Sequence, residues 1–199
     1  MLSVRHLIAP GVAADALQVA DGECIAVMGP SGAGKTRLLR AIADLDPNRG
    51  EVAAGGVDRA RVSGPAWRRV VGYMPAESGW WADTVGAHFP DPDGCRALLA
   101  EMRLSADVLE WPVARLSTGE RQRLALARAL TTRAPRALLL DEPTGALDEE
   151  ARALVEGILR RQLEAGTPIL MVTHDQAQAE RMAARIVYVE NGRLVRCAP

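Results

Sequence analysis

The chain has 199 residues, a formal net charge of −1 at pH 7 and 48% hydrophobic residues. This length predicts one domain with a sizeable core, and the mixed composition excludes a wholly disordered chain. The nearly balanced charge gives no global electrostatic reason to expect nucleic-acid binding. No apolar run approaches the ~18 residues of a membrane-spanning helix, so we expect no such helix.

The cysteine pattern and the N-terminus indicate where the protein works. Cys24, Cys95 and Cys197 are far apart and form no C-x-x-C pair, which argues against a disulfide framework or a zinc site. The first residues lack the charged-then-apolar layout of a signal peptide. Together these features predict a soluble protein in a reducing compartment.

Strand and helix patterns alternate along the chain. Strands are predicted over 2–8, 16–20, 23–28, within 49–57, over 70–75, 137–140 and 168–172, and in a hairpin over 186–195. Helices are predicted over 35–44, 96–102, after Ser117, from Asp148 to about Glu164, and after Asp175. This alternation predicts an α/β fold, with a mainly parallel sheet, helices on both faces and a small antiparallel part.

The composition changes after Pro75, where tryptophans, prolines, glycines and aspartates interrupt the regular pattern. We therefore predict a single domain, 1–199, with a core formed by about 1–75 and 131–199. Residues 76–130 are interpreted as an inserted, short and mostly helical lobe.

The most informative stretch follows the apolar strand over 23–28. It has the pattern G-x-x-x-x-G-K-[ST] and consists of Gly29, Pro30, Ser31, Gly32, Ala33, Gly34, Lys35 and Thr36. Glycines let backbone N–H groups wrap closely around phosphate oxygens, and the start of the following helix adds a positive dipole end. Lys35 supplies a charge for the outer phosphates, and the Thr36 hydroxyl can ligate Mg²⁺. The stretch predicts nucleoside triphosphate binding, with a plain strand-to-helix turn as the alternative.

A pair of acids follows a second apolar strand. Asp141 at its end can hold Mg²⁺, and Glu142, one residue further along, can polarise an attacking water as a general base. On their own, these residues fit equally well as two solvated acids at the end of a strand. The phosphate-binding loop upstream favours the functional interpretation.

The segment Leu116-Ser117-Thr118-Gly119-Glu120-Arg121-Gln122 precedes a well-patterned helix. Ser117 and Glu120 have the spacing of a helix capping box, which is a sufficient structural explanation. A capped helix start also presents N–H groups to an anion, so capping and function are compatible here.

Taken together, these motifs resemble the nucleotide-binding subunit of an ATP-binding-cassette (ABC) transporter. Gly29–Thr36 is similar to the family's Walker A motif, 138–142 to Walker B with its catalytic glutamate, and 116–122 to the signature motif. Asp148 is similar to the D-loop aspartate, and His174 to the switch histidine. The stretch Glu-Pro-Thr-Gly-Ala-Leu-Asp over 142–148 also resembles exporter-type cassettes of the family.

The resemblance implies ATP hydrolysis with Mg²⁺ by two copies of the chain. Lys35, Glu142 and His174 would be catalytic, and Thr36 and Asp141 would hold the metal. The Walker A loop of one copy would hold the nucleotide. The other copy would complete that binding site with Ser117, Thr118, Gly119 and Glu120. Asp148 would cross the interface between the copies. The resemblance also implies a transmembrane permease as partner and a cytoplasmic position on the inner face of the membrane.

The sequence departs from the family pattern at several positions. Ala76 stands where the family carries a glutamine that contacts Mg²⁺ and water, with Glu77 as a substitute shifted by one residue. The aromatic residue that stacks on adenine is not evident. Trp80 and Trp81 lie where family members meet their permease, although packing within the lobe explains them equally well.

We therefore predict an ATP-hydrolysing subunit that powers transport through a separate permease. The alternative is a soluble ABC-type ATPase that acts on nucleic acid or ribosomes. Such proteins usually carry tandem cassettes, coiled-coil insertions or basic patches, and this sequence shows none of them. A small-molecule kinase with a phosphate-binding loop is a third candidate, against which the signature and D-loop patterns argue.

Overall fold

The computed structural model describes residues 1–131 and 135–196, without the side chain of Arg196. Cys197, which was included in the analysis of the cysteines, lies outside the described residues. Cys24 and Cys95 are buried free thiols.

The described residues form ten strands in one sheet. In chain order the strands are β1 (Leu2–Ala9), β2 (Val12–Val19), β3 (Cys24–Met28), β4 (Arg49–Ala54), β5 (Val57–Asp58), β6 (Val71–Met74), β7 (Ala137–Asp141), β8 (Ile169–Val172), β9 (Arg185–Glu190) and β10 (Arg193–Arg196). Their order across the sheet is β5-β4-β1-β2-β10-β9-β3-β8-β7-β6.

One half of the sheet is parallel and deeply buried. β3 pairs in parallel with β8 and β9, and β7 pairs in parallel with β8 and β6. Every residue of β3, β7 and β8 is buried, as expected for parallel strands covered on both faces. The carboxyl ends of these strands meet at one edge, where ligands bind in open α/β sheets.

The other half is mainly antiparallel. There β1 pairs with β2 and β4, β4 with β5, and β9 with β10, while β10 meets β2 in parallel at Arg193 and Ala13. β2 begins at Val12, four residues before the predicted start at residue 16. Residues 12–15 are poor in residues that favour strands. They become a strand because a tight turn at Gly11 (φ +75°) lays them against β1, where Val12 pairs with Ala9.

Six helices cover the two faces of the sheet in the described part of the chain. They are α1 (Lys35–Ile42), α2 (Gly64–Val70), α3 (Arg96–Glu101), α4 (Thr118–Thr131), α5 (Glu149–Glu164) and α6 (Gln176–Met182). Neighbouring residues of β7 point to opposite faces: Leu139 joins a core with α1 and α2, whereas Leu138 and Leu140 join a core with α3, α4 and α5. The α/β fold with helices on both faces is therefore confirmed.

Residues 76–130 contain less regular helix than the sequence indicated. Only α3 and α4 are α-helices there, and the rest consists of loops and three short 3₁₀ turns. Apolar residues of this segment, including Val85, Leu99 and Leu124, share one continuous core with Leu138 and Ile158. The segment is thus packed firmly onto one face of the sheet.

Candidate functional site

The loop between β3 and α1 can only be built with glycine at certain positions. Gly29 has φ +137°, and a Cβ atom there would lie 2.3 Å from the carbonyl oxygen of Val189. Gly34 has φ +110°, and a Cβ atom there would lie 3.0 Å from the carbonyl oxygen of Gly11. Both positions exclude larger residues, so the loop keeps its backbone close to whatever it surrounds.

Lys35 holds this loop in shape. Its Nζ atom donates hydrogen bonds to the carbonyl oxygens of Gly29, at 2.7 Å, and Pro30, at 2.9 Å. The ammonium group therefore sits across the mouth of the loop, the position from which it can reach a phosphate oxygen. The cap of α1 is Gly34, which makes no side-chain bond to the helix start, and the first turn carries no acidic residue. The N–H groups of this turn are available to an anion.

A cavity of about 270 Å³ opens against this loop. It is lined by Ser31, Gly32, Gly34, Lys35, Thr36, Arg37, Ala76, Asp141, Glu142 and Val172. A second cavity of about 550 Å³ adjoins it and includes Pro30, Ser31, Gly32, Ala33 and the turns at Gly11 and Gly192. The structure thus brings the phosphate-binding loop, Asp141 at the end of β7 and the adjacent Glu142 to one place.

Asp141 is a buried acid at the end of β7, with 1% of its surface exposed. Burial raises the pKa of its carboxyl group, while the adjacent Thr36 hydroxyl acts in the opposite direction. Its Oδ2 atom is buried and has no hydrogen-bond partner in the structure. An unsatisfied carboxylate oxygen in the interior is costly unless a cation or donor reaches it.

Glu142 adopts a strained backbone conformation beside Asp141. Its φ is +50°, which is uncommon for a residue with a side chain and occurs often at functional sites. Its N–H donates to the carbonyl oxygen of Val172 at 3.0 Å, which anchors the strand end to β8. The Oε2 atom of its side chain lies 2.8 Å from Nδ1 of His174.

His174 is presented to solvent from the loop after β8, with 74% of its side chain exposed. Its backbone neighbours are fixed by a buried network, in which Thr173 donates to the side chain of Gln178 and Gln178 donates to Thr144. The chain beside His174 is therefore tied to packed elements, while its side chain reaches Glu142 from the solvent side.

The start of α4 forms the predicted capping box. Ser117 donates through its backbone N–H and its hydroxyl to the Glu120 carboxylate, and the Glu120 N–H donates to the Ser117 hydroxyl. The Ser117 hydrogen bonds lower the pKa of Glu120. In the described structure, the cavity that contains Lys35 and Glu142 is not lined by Ser117, Thr118, Gly119 or Glu120. A single copy thus leaves this segment apart from its own phosphate-binding loop.

Asp148 lies at the start of α5, where its side chain accepts a hydrogen bond from the N–H of Ala151 at 2.8 Å. The structure therefore gives this exposed aspartate a capping role within its own chain. Residues 145–148 also connect Glu142 to α5 and run next to the first turn of α4.

Gln122 is a further polar residue at the site, which the sequence analysis named only as the last residue of the 116–122 segment, without a role of its own. It lies on the buried side of α4, and its amide bonds to the backbone at Glu142 and Ala146. The sequence offered one signal, a polar residue close to the apolar Leu124, Ala125 and Leu126. It could not show which groups Gln122 bonds, because its partners lie 20 and 24 residues further along the chain.

Trp80 and Trp81 pack around His88. Both indole rings meet the imidazole edge-on, with centroids 4.9 and 4.6 Å away, and the Arg128 guanidinium lies over both indoles. Trp81 remains 74% exposed, whereas Trp80 is partly buried. The pair therefore combines a partly buried ring with a solvent-facing one.

No helix in the described ranges combines the length and apolar character that crossing a bilayer requires.

Comparisons with known proteins place these features in a family. The family model described as ABC transporter matches residues 13–145. The chain is 42% identical to the aliphatic sulfonates import ATP-binding protein SsuB of Ralstonia nicotianae, over 89% of the chain and 63% of that relative. It is 40% identical to the Fe(3+) ions import ATP-binding protein FbpC of Pseudomonas fluorescens, over 85% of the chain and 52% of that relative.

Solved structures agree with the sequence matches. An ATP-binding subunit of an ABC transporter superposes with a TM-score of 0.85 and 27% identity, covering 98% of this chain and 88% of that one. A dimeric ATP-binding cassette in a post-hydrolysis state with bound ADP and Pi gives a TM-score of 0.82 and 25% identity, with both chains fully covered.

The chain thus spans 63% and 52% of the lengths of those two curated relatives. Both are named as import proteins, so they give no support to the resemblance to exporter-type cassettes. The family match covers most of the residues that build the site, including the phosphate-binding loop, the signature segment and the acids of β7. On this evidence the chain belongs to the ABC transporter family.

Proposed function

We propose that this protein is the ATP-binding and ATP-hydrolysing subunit of an ABC transporter, which powers transport through a separate membrane permease. One observation carries the proposal: Lys35, Thr36, Asp141 and Glu142 line a single cavity, and Glu142 is in contact with His174. This combination would provide phosphate binding, a metal site and a general base around one cavity.

Binding of the triphosphate falls to the loop before α1. The N–H groups at the start of α1 and Lys35 would contact the outer phosphates, since no side chain of the chain itself caps this helix. Gly29, Pro30, Ser31, Gly32, Ala33 and Gly34 would form the wall around the phosphates. The neighbouring cavity of about 550 Å³ leaves room for the ribose and base.

The donor set suits Mg²⁺. The unpartnered Oδ2 atom of Asp141 and the Thr36 hydroxyl would hold the ion together with phosphate oxygens and water. The described residues contain no cluster of three or more His, Cys, Asp or Glu side chains that could hold a metal alone. This agrees with an ion that arrives with the nucleotide, and when bound it would neutralise charge on the phosphates.

Glu142 would act as the general base. Its carboxylate lies in the cavity, and the contact with His174 at 2.8 Å fixes its orientation. The base would accept a proton from water that attacks the γ-phosphate, and Lys35 and His174 would stabilise the charge on that phosphate. The products are ADP and inorganic phosphate.

A second copy would complete the site. Ser117, Thr118, Gly119 and Glu120 lie outside their own phosphate cavity, so we propose that they face the γ-phosphate held by another copy, with Asp148 at the interface. The similarity to a dimeric cassette with bound ADP and Pi supports a dimer. No role for nucleic acid is proposed, and the comparisons give no support to the alternative of a soluble ATPase acting on nucleic acid or ribosomes.

The permease would meet the segment around Trp81. This ring is 74% exposed and packs against His88 and Arg128, which is the character of an interface anchor. We propose that the protein lies on the inner face of the cell membrane through this contact, and that its single domain consists of a core, 1–75 and 131–199, and a lobe, 76–130. The relatives named SsuB and FbpC suggest import of a small anion or metal ion as the process served.

Ala76 lines the phosphate cavity, so the position predicted for a glutamine does face the site. Its methyl group can neither ligate Mg²⁺ nor bind water. We propose that coupling between the nucleotide and the lobe depends here on other contacts.

The test is the ATPase rate of the purified chain as its concentration is raised, with and without the permease. A site shared by two copies predicts that the rate per subunit rises with concentration and levels off once dimers predominate. Absence of ATP hydrolysis under all these conditions would refute the proposal. Isolation of the chain with nucleic acid and without a membrane protein would favour the alternative.

A further inference from the structure

Gln122 stands out among the buried polar residues because its two bonds join separate parts of the site. Only 8% of its surface is exposed. Its Nε2 atom donates to the carbonyl oxygen of Glu142 at 2.6 Å, and its Oε1 atom accepts from the N–H of Ala146 at 2.8 Å. One amide thus connects α4 to the base and to the segment that leads to Asp148.

The backbone at Glu142 needs such support. Its φ of +50° is a conformation that a residue with a side chain keeps only when its surroundings fix it. The N–H of Glu142 is fixed by Val172, and its carbonyl accepts bonds from Gln122 and, at 3.2 Å, from the N–H of Gly145. Without Gln122, the Glu142 carbonyl loses its hydrogen bond to α4.

α4 is also the helix whose first turn would face another copy's nucleotide. Gln122 lies one turn after Thr118 on this helix. A Cβ atom on Gly119 would lie 3.6 Å from the carbonyl oxygen of Ala146, so the same turn packs directly against the 145–148 segment. A displacement of the start of α4 would therefore also displace Glu142, through the packing of Gly119 against Ala146 and through the Gln122 hydrogen bond.

We infer that Gln122 is a positioning residue: it ties the start of α4 to the Glu142 backbone and so aligns the base when the helix start meets a partner's nucleotide. This inference rests on the proposed function and adds a route between the two halves of the composite site. Gln122 itself touches no reacting atom. Its effect should therefore appear in turnover and leave the affinity for nucleotide unchanged.

Two substitutions separate its two bonds. Gln122→Glu keeps an acceptor for the Ala146 N–H but removes the donor to the Glu142 carbonyl. Gln122→Met keeps a similar length and removes both. We expect both variants to lower kcat at least about tenfold, since small misplacements of a catalytic group have effects of this size or larger. The Kd for ATP, measured by calorimetry on the full chain without Mg²⁺, should change less than about twofold.

Trp67→Phe is the matched control. Trp67 is also buried, and its Nε1 atom donates to a backbone carbonyl, that of Ile42, at 2.8 Å. This variant loses a buried hydrogen bond of the same kind, made at the last residue of α1, at the opposite end of that helix from the phosphate-binding loop. It should lower the melting temperature and leave kcat near the wild-type value.

A double-mutant cycle with Glu142→Gln distinguishes positioning from general destabilisation. If Gln122 works through the base, Gln122→Met adds little further loss of kcat once Glu142 is replaced. Fully additive losses, or wild-type kcat in Gln122→Glu, would overturn the inference. If the wild type and the Trp67→Phe control hydrolyse no ATP either, the proposed function fails instead.

Discussion

Two helix starts, those of α1 and α4, are both assigned to phosphate, yet they are built in opposite ways. α1 begins after a left-handed glycine, has no side-chain cap and carries Lys35 and Arg37 in its first turn. α4 begins after Ser117, which exchanges hydrogen bonds with Glu120, and the acid lies in its first turn. The first start is open and positive, while the second is capped and carries a negative charge.

The difference predicts which helix start can bind phosphate without a second copy. A bare helix start with a lysine across the loop can bind a triphosphate in a single copy. An acid near the start of α4 already compensates the helix dipole there, so α4 by itself is a weak anion site. Under the proposed function, we expect its contribution to depend on a nucleotide that another copy has already bound.

Replacing the base gives the largest expected effect. Glu142→Gln should lower kcat by at least ~10², because the amide cannot accept the proton. Both helix starts are untouched, so ATP should still bind and a nucleotide-bound dimer should accumulate, which size-exclusion chromatography would detect. Normal turnover in this variant would remove Glu142 from the role of base.

Weakening phosphate binding at the start of α1 gives the second-largest expected effect. Lys35→Ala removes charge-assisted hydrogen bonds worth roughly 1.5–3 kcal/mol each, so the Kd for ATP should rise about 10- to 100-fold. Calorimetry on the monomer measures this directly. An unchanged Kd would contradict the assignment of the phosphate-binding loop.

Blocking the start of α4 should lower hydrolysis and leave the affinity for ATP unchanged, unlike Lys35→Ala. Ser117→Arg places a long cation at the proposed interface, and we expect hydrolysis to fall at least about tenfold through the clash it introduces. The Kd of the monomer for ATP should remain that of the wild type. Full hydrolysis in this variant would mean that the Ser117 segment is only a helix cap.

Removing the charge at the α4 start gives the smallest effect. The lowered pKa of Glu120 means that its contribution to the free energy of unfolding is present above the ordinary carboxyl value of 4.5 and is lost as pH falls through the lowered value. Glu120→Gln keeps a hydrogen-bond partner for Ser117, but its free energy of unfolding should not show this loss as the pH falls. Urea unfolding at several pH values should show a difference of about 1 kcal/mol or less. Identical pH profiles would show that the charge contributes nothing.

The local motifs could be predicted from sequence because each occupies a short stretch. The phosphate-binding loop, the acids after β7 and the capping box at Ser117 depend on neighbours within a few positions, and residues such as glycine and lysine have few other reasons to occur in that pattern. The predicted strands and helices were for the same reason mostly confirmed.

Contacts between distant segments could not be predicted in this way. The strand order places β8 next to β7 and so brings His174 to Glu142, but no local pattern fixes that order. The same holds for the start of β2, which pairing with β1 determines, and for the helix over 64–70, for which no prediction was made. The positive φ of Glu142 and the bonds of Gln122 arise only once the chain has packed.

A mixing experiment with two inactive variants tests the shared site most directly. In a head-to-tail dimer of Lys35→Ala with Ser117→Arg, one site carries both changes and the other carries neither. We predict that each variant alone is nearly inactive and that an equimolar mixture recovers up to about a quarter of the wild-type ATPase rate, since about half the dimers then hold one intact site of two. A mixture no more active than the sum of its separate components would contradict the account.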